Sequence, residues 1–230
     1  MNRNCLLAFA VAMAATMSLS AQDQSVKPGV NARFENPNVP EFVERFEREG
    51  RDAFDHRIEI VAALKLKAGM VVADVGAGTG LFTRLFSPIV GDDGKIFAVD
   101  ISDKFVAHIE KLAQEQKQQN IVGVVCEADD VRLAPASVDL VFICDTYHHF
   151  EYPQKTMASI RKALKPGGQV VLIDFVRIDG VSSEWTLGHV RAGQEVFCKE
   201  IEDAGFKQVD EQKGLLKESY FVRFEKTADQ

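Results

Sequence analysis

The chain is expected to form a doubly wound α/β domain: a mostly parallel sheet with helices on both faces. Between about residues 70 and 175, short apolar runs rich in β-branched residues alternate with stretches of helical periodicity, the pattern of repeated βαβ units. The first of these runs feeds directly into Gly76, Gly78 and Gly80, a turn whose backbone can approach a ligand with no Cβ in the way. An acid, Asp100, closes the next run about twenty residues later, the spacing at which a carboxylate can accept hydrogen bonds from a ribose diol. These residues all fall at carboxyl ends of predicted strands, where open α/β sheets bind ligands.

Each element follows from its own pattern. Residues 1–21 carry one charge, Arg3, then an apolar run over 6–17, then the small residues Ser18, Ser20 and Ala21, which is the order of a Sec signal peptide cleaved near Ala21 or Gln22. The apolar run is short for a membrane span; an uncleaved anchor is the alternative. Residues 22–38 are polar and aperiodic, with Pro28, Gly29 and Pro37, and are expected to be a flexible linker. The domain proper, 39–230, opens with two amphipathic helices in 39–64: Val39, Phe42, Val43 and Phe46 fall at i, i+3, i+4 and i+7, and Phe54, Ile58, Val61 and Ala62 repeat the stripe. Strand 70–75, helix 80–89, strand 95–99 and helix 103–118 follow, the last with Phe105, Ile109 and Leu112 as its buried stripe. Then come strand 121–126, a loop, strand 138–144, helix 154–164 and strand 169–175. A helix over 188–204 is stopped by Gly205, and residues 219–226 read as a last strand.

The glycine spacing narrows the ligand. A dinucleotide fingerprint, G-x-G-x-x-G, needs a third glycine where this chain has Leu81, and Asp74, two residues before the first glycine, is foreign to it and suits a cationic ligand end. With DVGAGTG, Asp100, the strand VDLVFICD and the turn LKPGG at 164–168 in this order, residues 61–206 resemble the class I S-adenosylmethionine (SAM)-dependent methyltransferases, in particular the type 11-like small-molecule enzymes. The resemblance implies a seven-stranded Rossmann-like sheet with the last strand antiparallel, and SAM as cofactor. It also implies cofactor contacts from Asp74, Gly76, Ala77, Gly78 and Gly80 around the methionine portion, from Asp100 with Ile101 beside it at the ribose, and from Asp145 beyond the fourth strand. An acid within 127–130 would reach adenine. Counting back four residues from Leu133 picks Asp129, with Asp130 next to it; counting from Asp139 picks Glu127.

Methyl transfer from a sulfonium is an in-line displacement, so the protein mainly aligns nucleophile and methyl in a water-poor cleft. A base is needed only when the acceptor arrives protonated. Residues 145–150, DTYHHF, lie where the resemblance puts groups facing the methyl, and His148 and His149 are the candidate general bases, since histidine titrates near neutrality. His189 and Arg191 are further candidates for acceptor contact. No metal site is expected: adjacent histidines usually send their rings apart, and no H-x-x-x-H or His/Cys cluster is present. The N/D-P-P-Y pattern of amine-modifying methyltransferases is also missing.

Charge excludes one class of partner. The chain carries a net −7, and loss of residues 1–21 removes only Arg3, leaving 26 basic and 34 acidic residues, a net −8 with no basic block, which disfavours nucleic acid. Cys126, Cys144 and Cys198 would remain, without metal-ligand spacing. The leading expectation is therefore a periplasmic or secreted SAM-dependent methyltransferase acting on a small-molecule acceptor, touching a membrane only if the N-terminal segment is kept as an anchor. SAM is made in the cytoplasm, so export requires either that anchor, with the domain facing inward, or SAM outside. The alternative is a SAM- or nucleoside-binding module that has lost turnover, since binding residues alone do not establish chemistry.

Overall fold

A computed structural model describes residues 22–228. The expected signal segment, 1–21, lies outside the described residues. In chain order the principal elements are α1 (Val39–Phe46), α2 (Asp52–Asp55), α3 (Arg57–Leu64), β1 (Val71–Val75), α4 (Leu81–Val90), β2 (Lys95–Asp100), α5 (Asp103–Glu115) and β3 (Ile121–Val125). They continue with β4 (Val138–Cys144), α6 (Pro153–Ala163), β5 (Leu164–Phe175), α7 (Glu184–His189), α8 (Gln194–Asp203), β6 (Phe206–Glu211) and β7 (Ser219–Lys226). Among the described residues no helix is long and apolar enough to cross a membrane.

The sheet has seven strands in the order β3-β2-β1-β4-β5-β7-β6, parallel from β3 to β5, with β7 antiparallel to both neighbours. Period-2 alternation divides the strand residues between two cores. Val72, Ile96, Leu140 and Phe142 pack with Phe82 and Phe86 of α4, whereas Ala73, Val99, Val141 and Ile143 pack with Met157 and Ile160 of α6 and Phe197 of α8. Both faces of the central strands are covered, which is why β4 reads as a nearly unbroken apolar run. The chain crosses from one side of the sheet to the other between β1 and β4, and a crevice opens at the carboxyl ends of these strands.

Three regions differ from the sequence expectation. The helix expected over 188–204 is two helices, because the Arg177 guanidinium takes the carbonyls of Leu187 (3.1 Å) and Val190 (2.9 Å), ending α7 at His189 before α8 starts after Gly193. The strand β6, with no apolar alternation of its own, forms by pairing with β7. Residues 22–38 are not a mere tether. Val26 N–H donates to the Glu151 carbonyl (2.9 Å), Asn31 Nδ2 donates to the His149 carbonyl (3.0 Å), and Ala32–Phe34 form a short 3-10 turn. Such isolated polar contacts leave no periodicity to detect.

Candidate active site

Two glycines explain the loop after β1. Gly76 has φ of +75°, and a Cβ there would lie 2.2 Å from Thr146 Cγ2, so the loop can sit against the end of β4 only without a side chain. Gly80, with φ of +80°, precedes α4 where a Cβ would come within 2.7 Å of Ile109 Cγ1 on α5. The Gly76 and Ala77 N–H groups donate to the Val99 carbonyl (2.8 and 3.1 Å), tying the loop to β2. Asp100 completes the brace: its Oδ2 accepts from Gly78 N–H (2.8 Å) and its Oδ1 from Ser102 N–H (2.9 Å).

This loop forms one end of a cavity of about 460 Å³, the size range of small-molecule sites. Gly76, Ala77, Gly78, Asp100, Ile101, Glu127, Ala128 and Asp145 line that end. Burial pushes the Asp100 carboxyl up to about 6 and that of Asp74, behind the loop, up to about 7. Burial also raises Asp145, against the opposing pull of Arg51, whose Nη2 lies 2.6 Å from Asp145 Oδ2. Asp145 itself has φ of +50°, and its Oδ1 is buried without a partner.

The far end is built of imidazoles. His148 is 1% exposed; its Nδ1 lies 2.8 Å from Asp174 Oδ1, and its backbone N–H donates to Asp174 Oδ2 (3.1 Å). His149 Nε2 lies 3.3 Å from His189 Nε2, at the end of α7. Trp185 stacks on His189 with ring centroids 4.6 Å apart, and Phe34 meets His149 edge-on at 5.0 Å. Burial is the main reason that His149 is driven down to about 2 and His189 to about 4.

A lid closes the third side. Phe42 of α1 packs on Phe34 (5.4 Å), Phe46 (5.2 Å) and Phe105 (5.3 Å). Glu47 fastens it to the glycine loop, accepting from Thr79 Oγ1 (2.8 Å) and Arg84 Nη2 (2.7 Å). Farther back, the Asp52 carboxylate accepts from the N–H groups of Lys217, Glu218 and Ser219 (2.9, 2.8 and 3.2 Å), which pins α2 beside β7.

Several sequence expectations need correction. Asp74 does not line the cavity: it points to the α4 side of the sheet and accepts from Thr83 Oγ1 (2.6 Å), fixing α4 on β1. Gly80 serves helix packing and is likewise outside the cavity wall. Asp129 lies 3.7 Å from Lys155 and Asp130 accepts from Arg132 N–H, both turned away, so of the three adjacent acids it is Glu127, paired with Arg132, that lines the cavity. Arg191 is also outside, paired with Glu200 (2.6 Å). The expectation that adjacent histidines diverge fails here: the 3-10 turn Tyr147–His149 holds the two rings 4.3 Å apart and α7 adds His189. Asp174 and Arg51 are not among the residues that the sequence singles out, whereas Thr146 falls within the 145–150 stretch that it does. An acid inside the otherwise apolar run of β5 was the one available signal for Asp174.

SAM can be tested against these residues. Asp100 and Asp145 at this end are both raised by burial, and Asp145 Oδ1 is buried without a partner, so the lining suits a ligand that brings positive charge and hydrogen-bond donors. Each Asp100 oxygen accepts one backbone N–H and keeps a second lone pair for a ribose hydroxyl. The residues fit the cofactor.

Fold and cavity together define an α/β domain built for a nucleoside-type cofactor. Residues 73–172 match the family described as methyltransferase domain. The ubiquinone/menaquinone biosynthesis C-methyltransferase UbiE of Shewanella frigidimarina is 27% identical over 184 residues, covering 67% of this chain and 72% of that protein. The crystal structure of a SAM-dependent methyltransferase from Aquifex aeolicus superposes with a TM-score of 0.71 at 22% identity, over 83% of this chain and 99% of that one. Haemonchus contortus phosphoethanolamine N-methyltransferase 2, solved with phosphomonomethylethanolamine and S-adenosylhomocysteine, gives 0.64 at 17% identity, over 84% and 61%. Over residues 73–172 the chain is therefore similar to the methyltransferase-domain family, and its fold is the one seen in the SAM-dependent methyltransferase from Aquifex aeolicus.

Proposed function

We propose that this protein transfers the methyl group of SAM to a small, largely apolar acceptor that carries an ionisable proton. The observation that carries this reading is the division of one cavity into a cofactor end at the glycine loop and an imidazole end walled by Phe34, Phe175 and Trp185. Gly76, Ala77, Gly78 and Ile101 would hold SAM through backbone and apolar contact, Asp100 would bind the ribose hydroxyls, Glu127 would reach adenine, and Asp145 with Arg51 would face the methionine portion. The aromatic wall suits a ring-bearing acceptor such as a phenol or quinol, in keeping with the quinone-pathway name of the UbiE relative.

SAM supplies an electrophilic methyl carbon when bound. The chain's own part is alignment, exclusion of water and handling of the acceptor's proton. His148 is the best-positioned proton acceptor, because Asp174 fixes its Nδ1 side and leaves Nε2 free. His149, driven down to about 2, is a poor one. Incubating the protein with methyl-labelled SAM and fractionated small-molecule extracts tests the proposal: a labelled product that needs intact His148 is expected. SAM binding without labelled product from any fraction would instead favour a binding module. We place the working chain in the periplasm on the strength of residues 1–21; N-terminal sequencing of native protein is expected to begin near Gln22, and a start at Met1 would favour an anchor.

A further inference from the structure

We propose that His148, His149 and His189 form a binding site for one divalent transition-metal ion of the zinc class, with Asp174 orienting His148 as an outer carboxylate. The three side chains each offer a ligand atom, and all of these atoms lie within 4.8 Å of one another. One pair, His149 Nε2 and His189 Nε2, is 3.3 Å apart. Two nitrogens held about 2.0–2.1 Å from one ion at the tetrahedral angle are separated by about 3.3–3.4 Å, so this pair already has the spacing of shared ligands.

The surroundings suit ligation. His148 presents Nδ1 to the Asp174 carboxylate, the arrangement that sets the tautomer and ring direction of metal-bound histidines and leaves Nε2 for the ion. Asp174 is itself fully buried and held by Phe175 N–H (2.8 Å) and His148 N–H, so it cannot swing away. Histidine binds metals through a neutral ring nitrogen, and His149 and His189 present their Nε2 atoms to each other. Lys27 and Arg33 face the cluster and oppose a cation; the buried carboxylates of Asp174 and Asp145 offset them. Three protein nitrogens leave a fourth position, which opens on the cavity.

The site stands on its own donors and does not depend on methyl transfer. Where both hold, an acceptor hydroxyl at the fourth position would lose its proton to solvent under the ion's charge, and His148 would be a ligand in place of a base.

The test uses the full chain stripped with a chelator and titrated with Zn²⁺ by calorimetry and with Co²⁺ by absorbance. Trp185, the chain's single tryptophan, stacks on His189 and supplies a third readout, since a paramagnetic ion there quenches its fluorescence. We expect one ion per chain, nitrogen-type Co²⁺ spectra and quenching of Trp185. His189→Ala should abolish the quenching and the stoichiometric site, and Asp174→Asn should weaken binding about 10- to 100-fold. Absence of a stoichiometric site in the wild type, thiolate charge-transfer bands from Cys126, Cys144 or Cys198, or unchanged affinity in His189→Ala would each overturn the proposal. If Asp174→Asn does not fold, His189→Ala decides alone, because His189 sits on a short, part-exposed helix. A SAM titration of the same samples reports the cofactor end separately, so failure of one reading is distinguishable from failure of the other.

Discussion

At the cofactor end of the cavity the buried ionisable groups are acids, Asp100 and Asp145 with Asp74 behind them, and burial pushes all three carboxyls up. At the far end three imidazoles gather around one buried carboxylate, Asp174, and burial pushes His149 and His189 down. The same desolvation therefore favours the neutral form at both ends, with opposite demands on what enters. The acids are relieved by a cation that also donates hydrogen bonds. The imidazoles offer ring nitrogens instead: His148 Nδ1 donates to Asp174, which leaves its Nε2 as an acceptor, and His149 and His189 meet through their Nε2 atoms. Under the proposed function, the glycine-loop end would take the cationic donor and the imidazole end the protonated acceptor.

The largest expected effect lies at the imidazole end. His148→Ala should lower turnover of an identified acceptor by about 10²–10⁴-fold while leaving SAM affinity nearly unchanged, as measured by steady-state rates beside calorimetry. A comparable loss of SAM affinity would mean that the two ends are not independent. At the cofactor end, Asp100→Ala removes charge-assisted hydrogen bonds worth roughly 1.5–3 kcal/mol and should weaken SAM by about ten- to a hundredfold. An unchanged dissociation constant would remove the ribose assignment.

The pH dependence should separate the cofactor end from the fold that carries it. Asp74 and Asp100 have native values above the ordinary carboxyl range, so the native chain binds their protons more tightly than the unfolded chain. Their contribution to stability is therefore most favourable below about pH 4 and is lost as pH rises towards 7. SAM binding runs the other way, since it needs a charged Asp100. The increase in melting temperature produced by SAM should shrink as pH falls below about 6, even while these two groups favour the unliganded fold. An increase that stays constant from pH 7 to pH 5 would show that Asp100 does not titrate in the binding step.

The smallest effects concern the loop after β3. Asp129→Ala and Asp130→Ala should change SAM affinity by less than about 0.5 kcal/mol, the usual range for exposed positions. Glu127→Ala should cost more, about three- to tenfold, if it is the acid that reaches adenine. A reversed ranking in calorimetry would return the adenine contact to Asp129.

The order of the strands up to β5, the glycine loop and Asp100 could be read from the chain because each depends on contiguous residues: apolar runs of strand length, glycines at positions of positive φ, and an acid at a strand's end. Local spacing determines those outcomes almost regardless of what packs elsewhere. The acid that faces the cavity was not determined in this way, since Glu127, Asp129 and Asp130 differ only in where a short loop turns them. Nor was the imidazole cluster, whose members come from the turn after β4, the end of a helix that Arg177 terminates, and a carboxylate on β5. Their separation in sequence is 40 residues between His149 and His189 and 26 between His148 and Asp174. Such a group acquires its chemistry only when β4 and β5 pair in register and α7 stops where it does, because side chains distant in sequence share an electrostatic environment only after the sheet has brought them within a few ångströms.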